Sequence, residues 1–223
     1  MSASRPLFSL AGVDAWIFDL DGTLLDTLDD LADSINVMLA ERGLPLRDRD
    51  EVCAGVGDGM RKLVERMLPV EQAGEAEIDA ALEQYRAAYR GRWNRRTRPY
   101  PGIEAELRRL TAAGVPLGVV SNKPQEFTER MISHYFPAPE VVFGAVFGQR
   151  DGVPVKPDPA GLIEAAGVLA VDPGRCAYVG DSPGDVLAAR RAGMRAVGVD
   201  WGFRSGEVLR EAGAEVVVVN VEC

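Results

Sequence analysis

This chain has little of what many sites are built from. It contains one histidine, His134. A multi-histidine metal centre is therefore excluded, and a Ser-His-Asp triad would have to use that one residue. No Gly-x-Ser-x-Gly elbow accompanies it. The three cysteines, Cys53, Cys176 and Cys223, are odd in number and far apart. No pair has metal-ligand spacing or resembles a disulfide framework. That usage leads us to expect a reduced cytoplasmic protein with incidental thiols. No run of roughly 18 apolar residues is present, so no membrane span is expected. Residues 1–13 carry one arginine and no long apolar run with a cleavage site, so they do not read as a signal peptide. Positive charge is in deficit, with 25 basic against 34 acidic residues and a net charge of −9. Such a surface repels nucleic acid and anionic membrane, and neither is an expected partner. Repeats and low-complexity tracts are also missing.

What is present suits a packed protein. The chain has 223 residues, 47% of them hydrophobic. That length fits one large domain, or a medium one with a small one. Residues 15–20 form an apolar run that ends in a glycine turn at Gly22, the pattern of a buried parallel strand. From Leu28 to about Arg98 no strand is expected. Helices are predicted over 28–42, 58–68 and 78–93, the first with Leu28, Leu31, Ile35, Met38 and Leu39 on one face and Gly43 as its stop. Beyond the Pro99–Gly102 turn, helices and strands alternate. Strands are expected at 116–120, 141–147, 176–179, 196–199 and 215–219. Helices are expected at 103–113, 125–135, 158–166, 184–192 and 207–211. Alternation of this kind means a parallel sheet covered on both faces. The expected fold is α/β: a Rossmann-like, doubly wound core made of residues 1–27 and 99–223, with an all-helical insert at 28–98.

Ligands of such sheets bind outside the carboxyl ends of the strands. At those positions stand Asp19 and Asp21, then Ser121, Asn122 and Lys123, then Lys156, then Asp181, Ser182 and Asp185. Asp19, Asp21 and Asp181 would crowd negative charge into one place, and a hard dication relieves that. Oxygen-only ligands favour Mg²⁺, which often bridges to a substrate phosphate. A carboxylate can attack phosphorus to form an acyl phosphate, and Asp19 is the expected nucleophile. Asp21 is the expected general acid and base. Lys156 and the cation would neutralise the phosphoryl group, while Ser121 and nearby backbone N–H groups hold its oxygens. Asp185 would orient the lysine or a metal-bound water. Taken one at a time, nearly all of these residues are better explained as turn residues, helix caps and solvated charges; taken together they are not, because all sit at one sheet edge and their charges balance.

The segment Phe18-Asp-Leu-Asp-Gly-Thr-Leu-Leu-Asp-Thr27 resembles the first motif of the haloacid dehalogenase superfamily phosphatases. Val119-Val-Ser-Asn-Lys123 resembles the second, Lys156-Pro157 the third, and Gly180-Asp-Ser-Pro-Gly-Asp185 the fourth. The resemblance runs from about Val13 to Val219. It implies a Rossmann-like core, Mg²⁺ and an aspartyl-phosphate intermediate. It also implies that Asp19, the backbone carbonyl of Asp21, and Asp181 contact the metal. The helical insert resembles the type 1 cap of that superfamily, which would exclude water and select substrate. Three stretches are most similar to the phosphoglycolate phosphatases: Pro99–Ile103, Gly55-Val-Gly-Asp-Gly59 and Trp201–Gly206. That implies 2-phosphoglycolate as the lead substrate. Thr23, Ser121, Asn122, Lys156, Gly57 and Arg61 are the residues expected to touch it.

Other readings stand beside this one. Pyrophosphate, sugar phosphates and nucleoside monophosphates are alternative substrates. Dehalogenating relatives lack the second aspartate, so Asp21 argues for an oxygen leaving group. A phosphosugar mutase is disfavoured because residues 28–98 hold no histidine. A phospho-receiver module would lack both the insert and Asp21, and a non-catalytic binding module would not need every motif position filled. Gly55-x-Gly57-x-Gly59 follows no strand and is not a dinucleotide fingerprint; it is either a loop reaching the site or a helix-to-helix turn. The arginines at 86, 90, 92, 95, 96 and 98 read as a solvated helix face. Alternatively, one of them, or Arg61, reads a substrate carboxylate or second phosphate. Monomer and homodimer both stay open.

Overall fold

The computed structural model describes residues 6–72 and 74–219. Cys223 lies outside them. Strand β1 (Ala15–Phe18) is buried along its whole length. Its side chains alternate between two cores, Trp16 and Phe18 facing one and Ala15 and Ile17 the other. Two covered faces account for the unbroken apolar run.

The chain then forms β2 (Leu25–Asp26) and four helices: α1 (Leu28–Glu41), α2 (Arg49–Gly55), α3 (Met60–Met67) and α4 (Glu75–Arg90). It returns through β3 (Arg98–Pro99), which pairs antiparallel with β2. The helical segment therefore leaves and re-enters through one two-stranded ribbon. The buried Asp30 carboxylate braces the return, accepting bonds from the backbone N–H groups of Arg96 and Thr97 and from the Thr97 hydroxyl. Next come α5 (Ile103–Ala112), β4 (Leu117–Pro124), α6 (Gln125–Tyr135), β5 (Ala145–Gln149), α7 (Ala160–Val168) and β6 (Cys176–Gly180). The described chain closes with α8 (Pro183–Arg191), β7 (Arg195–Val199), α9 (Gly206–Glu211) and β8 (Val216–Val218).

The sheet order is β5-β4-β1-β6-β7-β8, and every pair is parallel. Leu107 of α5 and Phe127 of α6 pack on the Phe18 face. Leu162 of α7, Val186 of α8 and Leu209 of α9 pack on the Ile17 face. This is the expected doubly wound α/β fold. The chain winds outward from β1 through β4 and β5, then restarts at β6 on the other side. The reversal falls at β1, where the crevice for a ligand opens.

Four expectations are corrected. First, α2 was not foreseen. Its signal is a capping box, with the Asp48 carboxylate accepting from Glu51 N and the Glu51 carboxylate from Asp48 N. Second, the strand expected at 141–147 begins only at Ala145, where pairing with Gly118 starts. Third, β4 runs on to Pro124 with a register shift between Val120 and Pro124. Ser121, Asn122 and Lys123 therefore belong to an irregular strand end, and they do not cap α6, whose N-cap is Pro124. Fourth, α4 stops at Arg90, so the basic run mostly lies off the helix.

Candidate active site

Asp19 directly follows β1, and its backbone N–H still pairs with Val179 O at 2.8 Å. Gly22 then turns the chain with φ +82°, and a side chain there would run into the Asp181 carboxylate. Only glycine meets both demands. Asp181 follows β6. Its two oxygens accept from the Thr23 hydroxyl at 3.0 Å and from Phe203 N–H at 2.8 Å. Thr23 is fully buried and anchors Asp181 in place of the substrate contact expected of it.

Lys156 enters from the loop before α7, also nearly fully buried. Its ammonium lies 2.7 Å from Asp185 Oδ1, 2.7 Å from Tyr178 OH and 2.9 Å from Asp19 Oδ1. The other Asp185 oxygen caps the α8 N-terminus, accepting from Ser182 N–H and its hydroxyl. Asp185 therefore orients the lysine and caps a helix at once. Asn122 ties three segments together. Its amide donates to Gly57 O at 3.0 Å and Lys156 O at 3.1 Å, and its oxygen accepts from Lys156 N–H at 2.9 Å. The glycine loop does reach the rim.

Burial pushes the Asp19 carboxyl up to about 6, against the opposing pull of Lys156. Burial, reinforced by the charges of Asp185 and Asp19, raises the Asp181 carboxyl well above its ordinary value. Burial alone would lower the Lys156 ammonium, but Asp185 and Asp19 outweigh it and keep the group charged. Asp19, Asp181 and Asp185 each offer an oxygen within 4.8 Å of the others. Both Asp185 oxygens are already engaged. Asp19 Oδ1 is buried with no hydrogen-bond partner, the lysine standing beside it as an ion pair only. This all-oxygen donor set fits a hard divalent cation, whose charge would reverse the cost of burying two carboxylates.

These groups meet in a cavity of about 50 Å³ between the sheet edge and the helical segment. Asp19, Asp21, Asp181, Ser121, Asn122 and Gly57 all line it. Thr23, Lys156 and Asp185 stand behind them. Arg61 is not brought there. It lies half-exposed on α3, paired with Asp79 and, at 3.8 Å, with Glu75. The neighbouring Met60 faces the cavity in its place. Among the lining residues given no role beforehand are Lys123, Arg204 and Tyr85. Lys123 grips both oxygens of Asp21 at 2.9 Å. Arg204 follows the end of β7, so the strand-end rule alone would have found it. Tyr85 of α4 has no such signal.

A family model described as haloacid dehalogenase-like hydrolase matches residues 16–199. A phosphoglycolate phosphatase of Psychrobacter arcticus is 36% identical over 87% of this chain and 86% of its own length. Phosphoglycolate phosphatase 1 of Pseudomonas aeruginosa is 34% identical, covering 99% and 82% of the two chains. The crystal structure of a predicted phosphoglycolate phosphatase from Haemophilus somnus superposes with a TM-score of 0.86 at 28% identity, over 95% of this chain and 96% of that one. The chain belongs to the haloacid dehalogenase-like hydrolase family. It is a phosphatase of that family.

Proposed function

We propose that this phosphatase hydrolyses a small phosphomonoester with the help of Mg²⁺, through a phosphate carried on Asp19, and that 2-phosphoglycolate is its preferred substrate. The carrying observation is the Asp19 side chain. It lines the cavity, partly exposed to it, with its Oδ1 2.9 Å from the buried Lys156 ammonium.

Asp19 attacks phosphorus, the ester P–O bond breaks, and Asp21 protonates the departing oxygen. Water then attacks the acyl phosphate, Asp21 takes its proton, and inorganic phosphate leaves. Lys156 balances the charge of Asp19 and is itself aimed by Asp185 and Tyr178. The Ser121 hydroxyl and nearby N–H groups hold the phosphoryl oxygens. Asp19, Asp181 and the Asp21 carbonyl would hold the cation, which when bound neutralises charge on the transferring group. Residues 28–98 act as a cap that excludes water and selects substrate.

Two observations support the small substrate. The cavity is small, and the relatives above carry the phosphoglycolate phosphatase name. Phosphate release from 2-phosphoglycolate, pyrophosphate, sugar phosphates and nucleoside monophosphates, each with Mg²⁺ and with chelator, tests the reading. Chelator-sensitive release with preference for 2-phosphoglycolate is the expected result. Preference for another ester discards the substrate and keeps the mechanism. No release from any member would sink the proposal.

A further inference from the structure

The helical segment contributes a narrow chemistry to the cavity. Leu31, Val56, Met60 and Leu63 line it with apolar side chains, and Gly57 and Gly59 with backbone. Among the described residues of this segment that line it, Tyr85 is the one with a polar side chain. Tyr85 is 0% exposed, yet its hydroxyl has no hydrogen-bond partner. A buried hydroxyl left unpaired costs about 1–3 kcal/mol, so its persistence at a cavity wall points to a partner that arrives with a ligand. The ring is held firmly in place. Tyr85 stacks on Tyr89 at 5.9 Å, and Tyr89 packs edge-on against Phe127 at 5.0 Å.

The place of Tyr85 in the cavity says which part of the substrate it meets. Lys123 lies over the Tyr89 ring at 4.8 Å and grips Asp21, the group proposed to protonate the leaving oxygen. Tyr85 stacks on that same Tyr89 ring and lines the cavity with Lys123 and Asp21, which puts it on the proposed leaving-group side. Burial keeps its phenol protonated, so it acts as a donor. A phenol O–H donates more strongly to a carboxylate than to a neutral acceptor.

We infer that Tyr85 is the specificity-determining residue of the helical segment, its hydroxyl donating to a carboxylate on a short leaving group within bonding reach of the ester oxygen. The inference rests on the phosphatase reading and names the residue that reads the carboxylate of the substrate proposed there. It assigns to a neutral phenol the role that a charged arginine on α3 was expected to play. Sugars and nucleosides are disfavoured on the side of the helical segment, where every lining side chain but Tyr85 is hydrocarbon.

The test compares wild type and Tyr85→Phe, with Mg²⁺, on 2-phosphoglycolate and on ethyl phosphate, whose leaving group lacks the acceptor. The ratio of kcat/KM for the two esters is expected to fall about 10- to 100-fold in Tyr85→Phe, the size of a lost hydrogen bond to a charged group. The melting temperature is expected to hold or rise, since the hydroxyl has no protein partner to lose. An unchanged ratio, with 2-phosphoglycolate still preferred, overturns the inference and leaves the phosphatase reading standing. A large fall in melting temperature assigns the hydroxyl a structural role and also overturns it. Wild type that prefers ethyl phosphate overturns the carboxylate assignment alone. Wild type that hydrolyses neither ester overturns this inference and the choice of 2-phosphoglycolate, while release from the other panel members decides the phosphatase reading separately.

Discussion

Lys123 and Asp21 stand 102 residues apart in sequence, yet one ammonium grips both oxygens of one carboxylate at 2.9 Å. The lysine side chain is 2% exposed and the aspartate 15%. Breaking such a pair from one side leaves an uncompensated buried charge, at a cost of about 3–5 kcal/mol. Lys123→Met should therefore lower urea stability strongly and reduce kcat as well, because Asp21 loses the cation that aims it. The double variant Lys123→Met, Asp21→Asn should recover much of the stability and none of the activity. Two single costs that simply add would refute a coupled pair.

Asp19→Asn should abolish turnover and, in the presence of chelator, make the protein more stable. Burial holds the Asp19 carboxyl at about 6, above its unfolded value of 3.8, so the ionised form opposes folding at neutral pH. A neutral isostere removes that opposition, and Lys156 keeps Asp185 as partner. A melting temperature higher by about 2–4 °C is expected for each kcal/mol recovered. Activity near wild type would overturn Asp19 as nucleophile.

Metal and protons should compete. As pH falls through about 6, Asp19 takes up a proton and the cation-free protein gains stability from that group. Added Mg²⁺ supplies the same relief at higher pH, so its thermal shift should be large at pH 7.5 and shrink toward pH 5. Melting curves with Mg²⁺ and with chelator at both pH values measure it. A shift independent of pH would place the cation away from these carboxylates.

Arg204 should act as a latch between sheet edge and helical segment. Its guanidinium donates to the carbonyls of Cys53 at 3.0 Å, Ala54 at 3.0 Å and Val56 at 3.2 Å, at the end of α2. A cation at a helix C-terminus satisfies carbonyls that have no helical partner. Arg204→Ala should raise KM about tenfold with a smaller effect on kcat, and speed amide exchange over residues 55–59 by a similar factor. Exchange unchanged in that loop would remove the latch.

The core of the site was legible because of a local rule. Asp19, Ser121, Asp181 and their neighbours each stand at a strand's carboxyl end, and a parallel sheet brings those ends to one edge however the loops run. The short helix α2 was missed: its seven residues are too few for periodicity to declare, and its one local signal, the capping box, was not read. The helical segment obeys no comparable rule. Arg61 and Met60 are adjacent, and about 100° of helix rotation separates a solvent-facing ion pair from the cavity wall.

Sequence by itself determined the α/β class, the insert after the first strand, and the carboxylates and lysine gathered at the sheet edge, because strand period, glycine turns and apolar runs are local properties. Tertiary structure decided that Lys123 holds Asp21, that Asp185 aims Lys156, and that Tyr85 rather than Arg61 faces the cavity. Those outcomes depend on how four helices pack over a sheet edge, and packing is set by contacts between residues far apart in the chain.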